Sequence, residues 1–266
     1  MTFHPARKIN EVLTKEDLTA ALKQLGVEEG MTLEVHTSLS SFGFVVGGAQ
    51  TVVDALMETV GYEGTIAMPM QNAQNTDPSG WVNPPIVHEL QQVIRDHMPP
   101  YNRRESDTDH MGTVVENLRR REGVSISFSP SLAYVAWGKY ARLICGRQPL
   151  HFPLGESSPT AHLYDVDGYA LLLGVPYHNC TALHLAEYRS GVRPIITNGG
   201  AVEMGGQRVW KKYLDIETDA DVFDEAGELM EKFLDIHKIK IGNADCLLFS
   251  IRETVDFLSQ YLQNEI

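Results

Sequence analysis

"MTLEVHTSLSSFGFVVGGAQTVVDALMETVGYEGTIAMP", residues 31–69, is the stretch whose reading decides the fold. Thr32–His36 reads as a strand with a polar shoulder, and "FGFVVGGAQ" then supplies a glycine-rich turn. "AQTVVDALMETVG" follows as a helix, and "GTIAMPM" as a second strand ending at Pro69. Strand, glycine loop, helix, strand is a βαβ pattern, which predicts a parallel sheet with helices packed on it.

The flanks extend that pattern. Upstream, "TKEDLTAALKQLGVEEG" opens with Thr14 as an N-cap and Asp17 three residues on, the spacing of a capping box. Leu18, Ala21, Leu22 and Leu25 keep a helical period and Gly26 closes it. Downstream, "MQNAQNTDPSGWVNPPIV" is rich in turn formers and predicts a long functional loop. Helices are expected at "IVHELQQVIRDHM", "HMGTVVENLRRR" and around "YVAWGKYARLICG", and a buried strand at "DVDGYALLLGV". "AVEMGGQRVWKKYLDI" reads as a hairpin turning at Gly205-Gly206. A helix "DADVFDEAGELMEKFLDI", a strand "ADCLLFSI" and a helix "RETVDFLSQYLQ" finish the chain. The expectation is one α/β domain: a largely parallel central sheet flanked by helices, with a β-hairpin insertion after residue 195.

Bulk numbers narrow the function classes. A chain of 266 residues buries a substantial core. Its formal charge of −13 disfavours a nucleic-acid partner, since phosphate binding needs concentrated basic surface, and suits a cationic small substrate. No apolar stretch approaches the roughly 20 residues that span a bilayer, and the charged start "MTFHPARKINEVLTKEDLTAALKQLG" leaves no apolar core for a signal peptide. Cys145, Cys180 and Cys246 are odd in number and too far apart for zinc or redox C-x-x-C spacing; a reduced, cytoplasmic setting is expected. Oligomeric state is not legible.

Three clusters are candidates for chemistry. "HNCTALHLAEYRS", residues 178–190, follows a buried strand and starts a helix, a position where ligands of open α/β sheets collect. With a helix start near Thr181, the side chains of Thr181, His184, Glu187 and Tyr188 share a face. His184 with a carboxylate behind it would be a general base. A satisfied histidine on a surface helix explains the same spacing. So do a metal site, although "HLAE" is not a zinc motif, and a thiolate–imidazole pair of Cys180 and His184. The second cluster is "HTSLSSFGFVVGG", where hydroxyls and glycines precede a helix beginning near Ala49; a helix N-terminus favours a phosphate. It matches neither the P-loop nor the dinucleotide fingerprint, and glycines of an ordinary βα turn account for it equally. The third is "HMGTVVENLRRREG", in which Glu116 and Arg119–Arg121 form a solvated charged face or turn Glu116 inward and offer Arg119 to an anion.

In order along the chain, "VHTSLSSFGFVVGGAQTVVDALMETVGYEGTIAMP", "HMGTVVENLRRREGV", "AWG", "PLGESSP" and "YALLLGVPYHNCTALHLAEYRSG" together resemble the aminoglycoside 3-N-acetyltransferase family. The resemblance covers about residues 15–192 and implies a single antibiotic N-acetyltransferase-like domain over residues 1–266. It further implies acetyl transfer from acetyl-CoA to an amine, such as the 3-amino group of a 2-deoxystreptamine antibiotic, with no metal. By that resemblance His36, Ser38, Leu39, Ser40, Gly43, Gly47 and Gly48 lie against the pantetheine and phosphates, with Arg119 as a further cofactor contact. His184 becomes the general base of direct transfer, Glu116 first and Glu187 second its orienting carboxylate, and Thr181 a hydrogen-bond donor to the tetrahedral intermediate. The segment "ISFSPSLAYVAWG" departs from the "RSxHPxxSxxAWG" pattern at Ile126, Ser129 and Ala133, and His178 stands where an aspartate is common. These changes are expected to remove polar groups near cofactor and substrate, and the carboxylate absent at 178 to weaken recognition of an ammonium group. The alternatives are a CoA-binding relative with degraded catalysis or another amine substrate, and a Cys180- or metal-dependent hydrolase.

Overall fold

The computed structural model describes residues 9–108 and 111–264. The N-terminal residues 1–8 of the segment read against a signal peptide, and His110 at the head of the fourth expected helix, lie outside the described residues.

Helix α1 (Lys15–Leu25) starts as the sequence predicts: the Thr14 side chain accepts from the Asp17 N–H and Asp17 reaches back to the Thr14 N–H. Its apolar residues Leu18, Leu22 and Leu25 are buried, and α1 packs on α2 (Ala49–Val60). Between them runs β1 (Thr32–Thr37), and after α2 comes β2 (Thr65–Gln71). The chain continues through α3 (His88–His97), α4 (Gly112–Arg119), β3 (Ser125–Ile126), β4 (Leu132–Gly138), α5 (Ala141–Gly146), α6 (Pro159–Asp165) and β5 (Tyr169–Leu173). It ends with α7 (His184–Ser190), β6 (Ile195–Met204), β7 (Gln207–Ile216), α8 (Val222–Phe233), β8 (Ile236–Ile241), β9 (Ala244–Ser250) and α9 (Ile251–Asn264).

Seven strands form one sheet in the order β3-β4-β2-β1-β5-β9-β8, and β6-β7 form a separate hairpin. The βαβ reading holds: β1 runs parallel to β2, with Thr32 opposite Thr65, and parallel to β5, with Thr37 opposite Leu173. Parallel pairing stops there. β4 joins β2 antiparallel, β3 joins β4 antiparallel, and β9 and β8 continue antiparallel from β5. The sheet is therefore mixed, and the largely parallel character expected of it belongs to its three central strands. Two apolar layers cover it. On one face α1, α2 and α4 pack through Leu22, Leu56, Val115 and Leu118; on the other α5–α9 pack through Ile144, Leu163, Leu185, Phe223 and Leu258.

The helix expected around "YVAWGKYARLICG" is corrected. Its first half is strand β4, whose Tyr134, Val135 and Ala136 are fully buried and paired with β2; only Ala141–Gly146 is helical. Cross-strand burial overrides the helical look of this alanine-containing run. Among the described residues, no helix is long and apolar enough to cross a membrane.

Candidate active site

The C-terminal ends of β1, β2 and β5 open into a cleft of about 710 Å³. One wall is the β1–α2 connection, a second is the start of α4 (Met111–Val115), and a third is the segment after β5, with Val175, His178, Asn179, Thr181 and His184. The sequence cluster that begins with His178 and the glycine-rich cluster thus meet across one space. His36, Ser38, Leu39, Ser40, Gly43 and Gly48 all line it. Gly47 does not: it holds a left-handed turn (φ 80°) whose added Cβ would sit 2.4 Å from Thr51 Oγ1, so it shapes the loop from behind. Gly48, also at positive φ, is the N-cap of α2 and lines the cleft, so the helix N-terminus that it opens lies beside that space.

After β5 the chain makes two short 3-10 turns, Tyr177–Asn179 and Thr181–Leu183, before α7. Helix α7 therefore begins at His184 rather than near Thr181, yet the i,i+3 relation survives. His184 Nδ1 lies 2.6 Å from Glu187 Oε2. Glu187 is fully buried, and its other oxygen accepts from Arg193 Nε at 2.7 Å and from the Asp219 N–H at 2.9 Å. Burying a carboxylate without such partners would be prohibitively costly; here both oxygens are engaged. With Nδ1 committed, Nε2 is the ring nitrogen left for a ligand in the cleft, and the Phe223 ring packs on the imidazole in an edge arrangement, 5.0 Å between centroids.

Glu116 is elsewhere. Its oxygens accept from Thr108 Oγ1 and Arg119, each within 2.8 Å, and it does not line the cleft. The carboxylate that meets His184 is Glu187. Arg119 also misses the cleft. Its guanidinium donates to the Ser106 carbonyl and to Glu116, and it faces a second cavity at the far end of α4. Three departures from the family pattern prove remote as well. Ser129 is buried with its hydroxyl accepting from the Leu132 N–H, Ala133 sits inside β4 opposite Met70, and Ile126 lies in β3 beside the second cavity. Only His178 among the four lines the cleft, and it does not stand without a carboxylate. Asp224 of α8 accepts from its backbone N–H and lies 2.7 Å from its Nδ1.

Beneath the cleft lies a network that the sequence did not reveal. Glu34 of β1, fully buried, accepts from Tyr134 Oη at 2.6 Å and from the Ala182 N–H at 3.0 Å. His36 Nε2 is 3.1 Å from Glu34 and 3.2 Å from the Thr181 N–H. Unprotonated, that nitrogen accepts from Thr181; protonated, it donates to Glu34. Burial pushes the Glu34 carboxyl up, but the His36 charge and the hydrogen bonds from His36, Tyr134 and Ala182 outweigh it and hold the group below its ordinary value. This cluster fixes the Cys180–Ala182 turn that delivers Thr181 and His184 to the cleft.

Glu34, His36 and Cys180 offer ligand atoms within 4.8 Å of one another. The donors do not suit a metal. Glu34 and His36 are already hydrogen-bonded, and burial, reinforced by the Glu34 charge, pushes the Cys180 thiol well above its ordinary range. A protonated thiol 0% exposed is neither a ligand nor a nucleophile. The two histidines that raised the metal reading are also divided, His178 with Asp224 and His184 with Glu187.

An imidazole backed by a buried carboxylate thus faces a glycine-shaped loop across one cleft, an arrangement able to take up and hold a proton beside a bound ligand. The profile of the family described as aminoglycoside 3-N-acetyltransferase matches residues 35–263, and the chain belongs to that family of acyltransferases. Among its relatives is the SPbeta prophage-derived aminoglycoside N(3')-acetyltransferase-like protein YokD of Bacillus subtilis (strain 168). The two are 43% identical, over 94% of this chain and 93% of the relative. Aminoglycoside N(3)-acetyltransferase VIII of Streptomyces fradiae is 36% identical over 79% of this chain and 73% of its own. The crystal structure of YokD superposes with a TM-score of 0.93 at 42% identity, covering 96% of this chain and 95% of that one. The structure of the aminoglycoside acetyltransferase AAC(3)-Xa does so at 0.84 and 29%, covering 96% and 94%.

Proposed function

We propose that the chain transfers acetyl from acetyl-CoA to an amine of an aminoglycoside, the 3-amino group of its 2-deoxystreptamine ring, by direct attack with His184 as general base. The His184–Glu187 contact of 2.6 Å, across the cleft from the glycine-rich loop, carries this reading. An aliphatic amine is mostly protonated at neutral pH and attacks a thioester only as the free base. His184 Nε2 accepts a proton from the attacking nitrogen, and Glu187, itself held by Arg193, stabilises the imidazolium. The new N–C bond forms first, giving a tetrahedral intermediate whose collapse breaks the C–S bond, and the proton held by His184 passes to the departing thiolate. Thr181, at the cleft wall, is the donor to the developing oxyanion, in a role worth a few kcal/mol. His36, Ser38, Leu39, Ser40, Gly43 and Gly48 line the path for the pantetheine and phosphates. The net charge of −13 favours a cationic substrate, and the Asp224 carboxylate lies behind the cleft-lining His178.

Two observations support family relatives as a guide to substrate: AAC(3)-IVa has been crystallised with a gentamicin and AAC-VIa with sisomicin. AAC-IIIb has been crystallised with CoASH. The test is the product. Incubation with acetyl-CoA and a panel of 2-deoxystreptamine aminoglycosides and simple polyamines, read by NMR, should place the acetyl group on the 3-amino nitrogen of the aminoglycosides. Acetylation of polyamines alone would redirect the substrate assignment, and tight CoA binding without any product would favour a relative with degraded catalysis.

A further inference from the structure

Six of the chain's thirteen arginines, Arg103, Arg104, Arg119, Arg120, Arg121 and Arg142, line one cavity of about 1030 Å³, where Glu122 is the one acidic residue. In a chain of net charge −13 this is a local reversal of sign. The cavity is separate from the acyl-transfer cleft. The first turn of α4 lines the cleft and its last residue, Arg119, lines this cavity, so the two are separated by the helix's length of about 12 Å.

Several of these guanidiniums are held in place. Arg119 donates to the Ser106 carbonyl and to Glu116, each at 2.8 Å. Arg121 is fixed by Asn117 and by Asp54 at 2.7 Å, and Arg103 lies over the Phe128 ring at 5.6 Å. Among the described residues, Arg103, Arg104 and Arg142 have no carboxylate partner, and they come from two different segments of the chain. Arginines at 119–121 are explained in part by the C-terminus of α4, which favours cations; that does not account for three more converging from the loop after α3 and from α5. Gly146 adds room, since a Cβ there would meet nothing within 4 Å.

We propose that this cavity binds a nucleotide-sized phosphate ester. Arginine forks match phosphate oxygens bidentately, and a space this large fits a bisphosphorylated nucleoside better than a single phosphate. The inference does not depend on acetyl transfer, because it concerns a different cavity. The same chemistry could be supplied by the phosphorylated nucleoside end of acetyl-CoA or by a free nucleotide.

The probe is adenosine 3′,5′-bisphosphate, titrated calorimetrically into the full chain at physiological ionic strength, with and without saturating acetyl-CoA. Saturable binding should weaken by at least about tenfold in the Arg103→Gln, Arg104→Gln, Arg142→Gln triple variant, as expected for loss of charge-assisted hydrogen bonds. It should persist in a Lys211→Gln, Lys212→Gln control that removes two charges from the hairpin. These three arginines are exposed, and an unchanged melting temperature checks the fold; the single Arg142→Gln variant repeats the test with one substitution. Displacement by acetyl-CoA together with arginine dependence assigns the cavity to the cosubstrate, and arginine-dependent binding that acetyl-CoA leaves intact assigns it to a free nucleotide. No saturable binding, or binding that the arginine variants do not change, overturns the proposal.

Discussion

Glu187 meets three donors at once: the His184 ring, the Arg193 guanidinium and the Asp219 N–H. Substituting Gln keeps the volume but loses the charge that stabilises an imidazolium, so kcat should fall about 100-fold with KM for acetyl-CoA little changed. Substituting Ala also leaves Arg193 short of its closest partner, and chemical denaturation should show a loss of about 3 kcal/mol. The parallel Glu116→Gln variant should retain turnover, because Glu116 serves Thr108 and Arg119 rather than the cleft. Cys180, buried and with its thiol pushed well up, should resist iodoacetamide in the folded protein and react only after unfolding, as seen by mass spectrometry. At this scale the sequence was informative where partners are local. His184 and Glu187 lie one helical turn apart and could be paired by spacing. Arg193 and Asp219 could not, because the first lies beyond the helix-ending Gly191 and the second beyond a whole hairpin. Glu34 was hidden for a similar reason: it looks like one polar residue in a buried strand until β4 brings Tyr134 to it.

The elements divide in the same way. α1, β1, α2, β2 and β5 carry strong local signals, and each lies close to where the pattern puts it. The capping box of α1 is a direct case, and Thr14→Ala should cost about 1 kcal/mol in a denaturation experiment. "LAYVAWG" is apolar throughout, so no alternation marks it as a strand, and what makes β4 a strand is antiparallel pairing with β2, from Thr65 opposite Gly138 to Gln71 opposite Leu132. Its last residue explains the "AWG" motif in physical terms. Gly138 has φ 107°, and an added Cβ would lie 2.2 Å from the Gly64 carbonyl oxygen, so Gly138→Ala should lower stability by about 1–3 kcal/mol. Two further elements carry plain local signals. Ser158-Pro159 is an N-cap followed by proline at the first helical position, which announces α6. Gly242-Asn243 is a two-residue hairpin turn that announces β8 and β9 as an antiparallel pair, and with them the mixed character of the sheet.

For the molecule as a whole, the sheet's mixed edges matter less to function than its parallel centre, which puts the ends of β1, β2 and β5 at one opening. Stability and function are coupled there through Glu34. Its carboxyl is held below the ordinary value in the folded state, so it contributes stability above that value and loses it as pH falls through the folded one. The melting temperature should drop on acidification below the usual glutamate range, and Glu34→Gln should flatten that drop while lowering stability near neutrality. The central claim, direct acetyl transfer with His184 as base, is tested by following CoA release from acetyl-CoA, with and without an aminoglycoside, in the wild type and in His184→Ala. Release should require the amine and should fall by about 100-fold or more in the variant while acetyl-CoA binding is unchanged. Release without any amine, or a His184→Ala protein that turns over at the wild-type rate, would contradict it.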